Sequence, residues 1–299
     1  MKIGITGGTG FIGSYLYDFL KKNHSVLRTV RTGKFEGGFP CSDIGNPEEL
    51  NDFFQHADVL IHLANENRPR DKPTSLTQDL EKNLVKTLKL FEAFFNARPD
   101  GHLIFFSTGG AIYAPKNRAE AFLETDPVGP TSHYANQKLS AENFLRSLAL
   151  THNFQSTILR VSNPYGVPLS TDRNQGIIGV ATSCARLKKP FHLFGRGDLV
   201  RDYLHLQDLG SAVNAVINEK AVQPSSEIYN LGSGLGHTTD EVILLINRYS
   251  PLPLEIVHEP AFTKEVLWNV LNISKFKKSF HWAPQKSLEK GIQELFPKS

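Results

Sequence analysis

The chain has 299 residues, of which 40% are hydrophobic and 21% charged, with 23 glycines, 17 prolines and 2 cysteines. This composition excludes a disordered or collagen-like chain and is typical of a soluble globular protein with one large or two fused domains. The formal net charge of +3 is too small for a nucleic-acid-binding surface, because the basic residues do not cluster. The cysteines, Cys41 and Cys184, lie far apart, which indicates neither a disulfide framework nor a zinc site.

The sequence also bears on location and partners. Residues Met1–Gly7 reach glycine before any hydrophobic signal region begins, and no apolar run approaches the ~18 residues of a membrane span. The 11 histidines have no paired metal-ligand spacing on a predicted helix, and His133 is interpreted as a pocket wall. We therefore expect a cytoplasmic protein with no membrane partner, no nucleic-acid partner and no metal.

In the first half of the chain, short apolar or β-branched runs alternate with longer amphipathic stretches. The predicted strands are Lys2–Thr6, Val26–Val30, Val59–Leu63, Leu103–Ser107 and Thr157–Val161. The predicted helices between them are Ile12–Lys22, Pro47–Gln55, Thr77–Ala97 and Tyr134–His152. Each connection is long enough for a right-handed crossover, so the pattern predicts an α/β fold with a doubly wound parallel sheet of the Rossmann type.

Beyond about residue 163, glycine and proline interrupt this pattern. The predicted helices there are Gly176–Arg186, Leu206–Asn218, Thr239–Arg248 and Ser287–Leu295, and the predicted strands are Phe191–Phe194, Glu227–Leu231 and Leu254–His258. We expect a dinucleotide-binding domain over residues 1–162, with returning segments near 200–232, and a smaller C-terminal α/β lobe over residues 163–299. The lobe is assigned to substrate binding, because ligands of open α/β sheets lie beyond the carboxyl ends of the strands.

A glycine-rich turn follows the first predicted strand and opens the first predicted helix. It reads Gly-Gly-Thr-Gly-Phe-Ile-Gly over residues 7–13 and contains G-x-G-x-x-G. Such a turn lets backbone amides approach a pyrophosphate, while the helix N-terminus supplies partial positive charge. The turn therefore predicts a dinucleotide cofactor held by Gly7, Gly10, Phe11, Ile12 and Gly13. The alternative is a flexible loop ahead of an amphipathic helix.

The end of the second predicted strand bears on the choice between NAD and NADP. A carboxylate about 20 residues after the glycines is typical of NAD binding, whereas an arginine there favours the additional phosphate of NADP. Here Arg31 and Lys34 occupy that region, and no carboxylate precedes Glu36. NADP is therefore slightly favoured over NAD. The alternative is that both cations are solvated loop residues.

A tyrosine and a lysine at positions i and i+4 would share one face of a predicted helix. Tyr134 and Lys138 have this spacing after the fourth crossover, and Tyr17 and Lys21 have it in the helix that follows the glycine turn. For Tyr17 we expect a solvated helix face. Tyr134 and Lys138 instead follow the predicted strand Leu103–Ser107, at whose end a substrate could bind. We therefore interpret them as a catalytic pair.

The chemistry of such a pair depends on charge. A phenol has an ordinary pKa of about 10 and becomes a base at neutral pH only when nearby positive charge stabilises the phenolate. Lys138 together with an oxidised nicotinamide could supply that charge, and a hydroxyl from Ser107 or Thr108 could hold the substrate oxygen. The alternative for Tyr134 is a half-buried helix aromatic.

Taken together, these motifs resemble the extended short-chain dehydrogenases/reductases of the NAD(P)-dependent epimerase/dehydratase family, with a layout close to that of the nucleotide-sugar 4-epimerases. The resemblance covers nearly the whole chain. It rests on TGGTGFIG at Thr6–Gly13, the pair Asp43-Ile44, HLAN at His62–Asn65, Asn83 in NLVKT, FFSTGGAIYA at Phe105–Ala114, YANQK at Tyr134–Lys138, NPYG at Asn163–Gly166, RDYLHLQD at Arg201–Asp208 and NISK at Asn272–Lys275.

The resemblance implies roles for individual residues. Tyr134 would be the acid/base, and Lys138 would also bond the nicotinamide ribose. The further cofactor residues would be Asp43 and Ile44 at the adenine, Leu63 and Ala64 along the cofactor, and Asn83. The substrate residues would be Asn163 and Arg201 at the nucleotide diphosphate, with Tyr203 near by. For Arg201 the alternative is an ion pair with Asp202 or Asp208.

Departures from the family pattern narrow the activity. Gly109-Gly110 stand where dehydratases carry an Asp-Glu pair, which argues against 4,6-dehydration. Glycine also occupies the position at which epimerases often carry the catalytic serine, so that role falls to Thr108 or Ser107. The segment His258–Thr263 contains no second diphosphate-binding arginine.

The function we expect is that of an NAD(P)-dependent nucleotide-sugar 4-epimerase that works through a transient keto-sugar. An NADPH-dependent nucleotide-sugar ketoreductase and a non-catalytic NAD(P)-binding protein are the alternatives. By analogy with the family, a homodimer would form through the helices Thr77–Ala97 and Tyr134–His152.

Overall fold

The computed structural model describes residues 1–67, 73–116, 119–167, 176–219, 225–261 and 266–297. The chain divides into two compact units. Unit 1 comprises Met1–Ala114, Pro127–Arg160 and Val213–Tyr229, and unit 2 comprises Pro115–Asp126, Val161–Ala212 and Asn230–Ser299. Across the described ranges, no helix combines the length and the apolar character needed to cross a membrane.

Strands and helices alternate along the chain. The strands are β1 (Lys2–Thr6), β2 (Ser25–Val30), β3 (Gly38–Pro40), β4 (Val59–His62), β5 (His102–Thr108), β6 (Gln155–Val161), β7 (Asn163–Tyr165), β8 (Phe191–Phe194), β9 (Val200–His205), β10 (Ser226–Leu231), β11 (Gly236–Thr238), β12 (Ile256–Glu259) and β13 (Trp268–Asn269). The helices are α1 (Phe11–Leu20), α2 (Pro47–Gln55), α3 (Leu76–Leu80), α4 (Lys86–Ala97), α5 (His133–His152), α6 (Ile177–Leu187), α7 (Leu206–Asn218), α8 (Thr239–Tyr249), α9 (Ser274–Phe280) and α10 (Leu288–Glu294).

Among the described residues, the largest sheet has seven strands in the order β3-β2-β1-β4-β5-β6-β10. β1 pairs in parallel with both β2 and β4, so that Ile3 is aligned with Val26 on one side and Val59 on the other. The strand order therefore reverses direction at β1, which creates the switch point where α/β sheets bind ligands. The predicted α/β fold with a doubly wound parallel sheet is confirmed.

Phenylalanine dominates the core between this sheet and its helices. Phe53 and Phe54 of α2 are almost completely buried, as are Phe94 of α4 and Phe154. The rings of Phe54 and Phe94 meet edge to face with centroids 5.6 Å apart. Burial of each such side chain stabilises the fold by roughly 1.5–3 kcal/mol, so this cluster holds α2 and α4 in place beneath the sheet.

The predicted helix Thr77–Ala97 is interrupted. It consists of α3, a π-helical turn over Glu81–Val85, and α4. Within the turn, the side-chain amide of Asn83 donates to the carbonyl of Asp79 at 3.0 Å, and its oxygen accepts a hydrogen bond from the amide of Glu66. The spacing of apolar residues along the sequence could not predict this interruption, because it depends on side-chain hydrogen bonds. π-Helical turns are frequent at functional sites.

Unit 2 contains smaller sheets. In its described part, β9 pairs with β7, β11 and β13, and β8 pairs with β12 in parallel. A separate core of α6, α8 and α10 packs with these strands. β9 was not predicted, because the adjacent charged residues Arg201 and Asp202 interrupt the alternation of apolar and polar residues that is typical of a strand. β3, β7, β11 and β13 are only two or three residues long, and they were missed together with the lysine-rich helix α9.

Candidate active site

The glycine turn joins β1 to α1 in unit 1. Gly7 has φ = +69°, and a Cβ at this position would lie 2.8 Å from the amide nitrogen of Ala64. A Cβ on Gly13 would overlap the carbonyl oxygen of Gly7, which itself accepts a hydrogen bond from the amide of Gly10 at 2.9 Å. Among the described residues, no side chain caps the N-terminus of α1 at Gly10. The turn therefore presents backbone amides and the positive end of a helix dipole, as a pyrophosphate requires.

Two buried side chains support this turn from behind. The guanidinium of Arg28 on β2 lies 3.9 Å from the ring centroid of Tyr17, and its Nε donates to the carbonyl of Glu36 at 3.1 Å. Tyr17 is only 3% exposed. The prediction that Tyr17 lies on a solvated helix face is therefore wrong, because the inner face of α1 packs against β2. Lys21, one turn later, reaches the surface and pairs with Glu36 at 2.8 Å.

Two cationic side chains that follow β2, those of Arg31 and Lys34, lie at the surface. The Arg31 side chain is 75% exposed, and its Nη1 lies 3.6 Å from a carboxylate oxygen of Glu66. Lys34 is exposed as well. The first carboxylate after β2 belongs to Glu36, which is paired with Lys21. The end of β2 thus presents an exposed guanidinium whose carboxylate neighbour, Glu66, comes from the chain that follows β4.

Other predicted cofactor residues lie beside the same sheet. Leu63 and Ala64 directly follow β4, and the backbone of Ala64 contacts Gly7. Burial alone would raise the pKa of Asp43, but hydrogen bonds from the amide of Gly45 and from Lys86 at 3.0 Å lower it overall. Ile44 is partly buried against the core of unit 1. Asp43 therefore stays ionised and fixed next to the chain that follows β3.

Asn83 belongs to a polar cluster that the sequence did not predict. The side-chain amide of Asn67 donates to Asp79 and to Gln137, and Gln137 also hydrogen-bonds Asp79. A pocket of about 180 Å³ adjoins the cluster and is lined by Glu66, Asn67, Pro73, Asp79, Lys82, Asn83 and His133. His133 thus lines a pocket wall, as its interpretation from the sequence stated. Lys72 and its neighbours at 68–72 lie outside the described residues.

Tyr134 lies at the start of α5, where Ser132 caps the helix by accepting a hydrogen bond from the amide of Ala135. The Tyr134 hydroxyl shares a hydrogen bond with Thr108, the last residue of β5. Burial raises the pKa of Tyr134 to about 12, and the bond to Thr108 offsets only part of this effect. The phenol is therefore protonated at neutral pH, so Lys138 alone does not ionise it. Ionisation requires a further positive charge.

Lys138 is buried one helical turn after Tyr134. Its Nζ donates to the carbonyl of Phe106 at 3.0 Å and lies 5.9 Å from the ring centroid of Tyr134. Burial lowers the pKa of Lys138 to about 8, while the negative charge of Glu142 acts in the opposite direction. The lysine therefore titrates close to neutral pH.

The two candidate hydroxyls at the end of β5 differ in what they contact. Ser107 donates to the carboxylate of Glu142, whereas Thr108 bonds Tyr134. Successive side chains of a strand point to opposite faces, so only one of the two can face Tyr134. Of the two hydroxyls that the sequence left open for the catalytic role, the geometry favours Thr108.

The predicted substrate residues belong to unit 2. The side-chain amide of Asn163 donates to the carbonyl of Asp202 at 2.9 Å, and Arg201 donates from Nη1 to the carbonyl of Val200 at 2.8 Å. The carboxylates of Asp202 and Asp208, the alternative partners of Arg201, accept hydrogen bonds from backbone amides. Tyr203 is buried, which raises its pKa to about 12. Arg201 and Tyr203 are neighbours on β9.

Comparison with known proteins bears on what this site does. A family model described as the NAD dependent epimerase/dehydratase family matches residues 3–232. The UDP-glucose 4-epimerase of Thermotoga maritima, crystallised with UDP-glucose, is 27% identical with a TM-score of 0.89, and the match covers 99% of this chain and 97% of that one.

Two further proteins are similar over nearly their whole length. The UDP-glucose 4-epimerase of Thermus thermophilus, crystallised with NAD, is 27% identical with a TM-score of 0.87, and the match covers 99% of this chain and 98% of that one. The dTDP-4-dehydro-6-deoxyglucose reductase of Escherichia coli is 26% identical over 306 residues, which cover 97% of this chain and 95% of the reductase.

Proposed function

Because the chain belongs to the NAD-dependent epimerase/dehydratase family, we propose that it is a nucleotide-sugar 4-epimerase that uses NAD(P) bound in unit 1. The observation that carries the proposal is the hydrogen bond between Tyr134 and Thr108, with Lys138 one helical turn away. An acid/base phenol, a hydroxyl and an ammonium are the groups needed to move a proton on a sugar hydroxyl. The solved 4-epimerases to which this chain is similar support the substrate class.

The residues of the glycine turn fit a dinucleotide. A Cβ at Gly7 would clash with the backbone of Ala64, and among the described residues no side chain caps the amides that open α1. Gly7, Gly10, Phe11, Ile12 and Gly13 would hold the pyrophosphate. The bound nicotinamide would supply a hydride acceptor and donor, as well as positive charge in its oxidised form.

The remaining cofactor contacts follow the family pattern. Asp43 and Ile44 would lie at the adenine, and Leu63, Ala64 and Asn83 would border the rest of the cofactor. Lys138 would bond the nicotinamide ribose through the ammonium that now donates to Phe106. These assignments rest on the resemblance together with the contacts of each residue.

Transfer of the sugar hydroxyl proton would be carried out by side chains of this protein. Thr108 would hold the sugar oxygen, and Tyr134 would take the hydroxyl proton while the same carbon is oxidised, with the cofactor as the hydride acceptor. When the hydride is returned to the opposite face of the keto-sugar, Tyr134 would give the proton back to the oxygen. With a pKa of about 12, the Tyr134 phenol keeps its proton at neutral pH, and it could act as a base only where the positive charge of an oxidised nicotinamide would stabilise the phenolate. This requirement couples proton transfer to cofactor occupancy. Asn163 and Arg201 would bind the nucleotide diphosphate, for which the guanidinium of Arg201 is well suited, and Tyr203 would lie near by.

We infer that the cofactor is NADP in preference to NAD. The support is the guanidinium of Arg31 after β2, whose side chain is 75% exposed although it lies 3.6 Å from Glu66, together with the pairing of Glu36, the first carboxylate after β2 in the sequence, to Lys21. An exposed guanidinium at this position can approach a ribose phosphate, whereas a carboxylate would repel it. A titration of the protein with NADPH and NADH tests the preference.

A ketoreductase that consumes NADPH is the second candidate, and the similarity to a dTDP-4-dehydro-6-deoxyglucose reductase favours it. A dehydratase is disfavoured, since Gly109 and Gly110 carry no acid or base. The purified protein is incubated with UDP-glucose without added cofactor, and the sugar is analysed by NMR. Formation of the 4-epimer supports the epimerase. NADPH oxidation in proportion to a reduced keto-sugar would support the reductase instead.

We also propose a homodimer formed through α3, α4 and α5. Large apolar side chains are exposed on α3, on the π-helical turn that leads into α4, and on α5, including Leu76, Val85, Phe144 and Leu150, the last of them 75% exposed. Such residues on neighbouring helices are suited to a second copy of the chain. Sedimentation of the protein and of Phe144→Glu tests this interface, with a monomeric variant and a dimeric parent as the expected result.

A further inference from the structure

A glutamate continues the line of Tyr134 and Lys138 along α5. Glu142 lies four residues after Lys138, so the three side chains share one face of the helix. Glu142 is completely buried. It takes no part in the proton transfer proposed above, and its position next to Lys138 therefore needs an explanation of its own.

Several elements of unit 1 hold the Glu142 carboxylate. Ser107 on β5 donates to Oε1. Arg160 on β6 donates from Nη2 to Oε2 at 2.7 Å and from Nε to Oε1 at 3.1 Å. Arg160 also donates to the hydroxyl of Tyr113 at 3.1 Å. The carboxylate is thus fixed in both position and orientation.

A buried ion pair of this kind contributes little net stability, because the cost of desolvating the two charges offsets their attraction. Removing two charges from water costs several kcal/mol for each ion, and a well-packed apolar pair is often as stable or more so. Arg160 lies within the otherwise apolar run Ile158–Val161 and is itself only 3% exposed. The charge itself is therefore the feature to explain.

The surroundings of Lys138 show what that charge acts on. β5 contributes the ring of Phe105, 4.8 Å from Nζ, and the carbonyl of Phe106. β4 contributes His62, which is neutral because burial lowers its pKa to about 3. On α5 itself the neighbours are the protonated phenol of Tyr134 and Glu142. Across the described residues, Glu142 is the group that opposes the effect of burial on the pKa of Lys138.

Building on the proposed function, we propose that Glu142 is a positioning residue: fixed by Ser107 and Arg160, it keeps Lys138 charged and aligned on the Tyr134 face of α5. It acts through Lys138 and touches neither sugar nor cofactor. In this scheme the ion pair with Arg160 holds an anion in the core on the helix face that Lys138 shares.

Glu142→Gln tests the proposal by removing the charge while keeping the size and an acceptor for Arg160. The pKa of Lys138, about 8 in the parent, should fall by about one pH unit, the lower end of the effect of an adjacent opposite charge. The measurement is an NMR pH titration of protein labelled with ¹³C at lysine Cε, with Lys138→Arg identifying the signal. This readout requires neither sugar nor turnover.

Matched variants separate charge from packing. Glu142→Asp restores the charge and should bring the pKa of Lys138 back towards the parent value. Ser107→Ala leaves both charges in place and should move it much less than Glu142→Gln. Glu92→Gln removes an exposed glutamate of α4 and should not change it.

Turnover provides the second readout. In Glu142→Gln, the alkaline limb of the pH profile of kcat should move to lower pH by the same amount as the Lys138 titration. If the NMR shift occurs and no sugar is epimerised at any pH, the positioning role stands and the proposed function fails. An unchanged Lys138 titration in a folded Glu142→Gln protein, or an equal shift in Glu92→Gln, overturns the inference. If Glu142→Gln does not fold, failure of Glu142→Asp to keep the parent titration overturns it as well.

Discussion

Buried charges have different partners in the two units of this protein. In unit 1, Glu142 of α5 pairs with Arg160 of β6, and its negative charge acts on Lys138 of the same helix. In unit 2, the buried carboxylate of Asp202 accepts hydrogen bonds from the amides of Ser233 and Gly234 and from other loop groups. A buried carboxylate is thus paired with a guanidinium in unit 1 and with backbone amides in unit 2.

This difference suits unit 1 to tuning the pKa of reactive side chains and unit 2 to holding the loops that bind substrate. A side chain on a helix or strand is held accurately, so a neighbouring charge can tune its pKa. A carboxylate that accepts several backbone amides instead fixes the course of a loop. Asp208 does the same for the chain at Gln285 and Lys286, with distances of 3.0 and 2.9 Å. We therefore expect changes in unit 1 to alter rates and protonation, and changes in unit 2 to alter loop stability and substrate affinity.

Tyr134→Phe should have the largest effect. Loss of the acid/base hydroxyl should lower kcat by about 10³-fold, within the range usual for general acid/base catalysis, and leave cofactor affinity within a few-fold. Steady-state kinetics and cofactor fluorescence titration measure the two quantities. A variant that retains full turnover would remove Tyr134 from the mechanism.

Asp202→Asn tests the loop-fixing role in unit 2. The amide group of asparagine cannot accept all the donors that surround the carboxylate, so the free energy of unfolding should fall by about 3 kcal/mol. Asp198→Asn is the matched control, because Asp198 is exposed and pairs only at the surface with Arg196. In this control, the free energy of unfolding measured by chemical denaturation should change by less than about 0.5 kcal/mol. Equal effects in the two variants would refute the distinction drawn between them.

Arg201→Gln examines recognition in unit 2. Losing a charge-assisted contact to a diphosphate should cost about 2 kcal/mol, which corresponds to a roughly thirty-fold increase in KM for the nucleotide sugar. kcat should change little, since Arg201 is assigned no part in the proton transfer. A fall in kcat at unchanged KM would instead assign Arg201 to the chemistry.

Arg31→Ala should have the smallest effect. The exposed guanidinium is screened by solvent, so we expect an approximately tenfold loss of NADPH affinity and no change for NADH. Lys34→Ala, at another exposed cation of the same loop, is the control. Equal binding of both cofactors by the parent protein would contradict the inferred NADP preference.

The sequence predicted the features that depend on local pattern. The bounds of α2 and α7 agree with their predicted ranges, and those of β1 agree because an apolar run ends there at a glycine. The α/β class followed from the alternation of strand and helix patterns. These features need only residue spacing, propensity and turn chemistry.

Features that depend on distant contacts were missed. The burial of Tyr17 arises from packing on Arg28, which lies on a strand and not on the same helix. The different faces of Ser107 and Thr108 could have been deduced from the period of two along β5. Arg160 in an apolar strand was a visible signal of a buried partner, but its identity as Glu142 required the fold.

The central claim is that a bound oxidised nicotinamide ionises Tyr134. The most direct test is an ultraviolet titration of the phenolate, recorded as the difference between the parent and Tyr134→Phe, with and without NADP⁺. The account predicts a pKa of about 12 in the free protein and a clear decrease towards neutral pH when the cofactor is bound. A Tyr134 titration that is the same in both states would contradict the account.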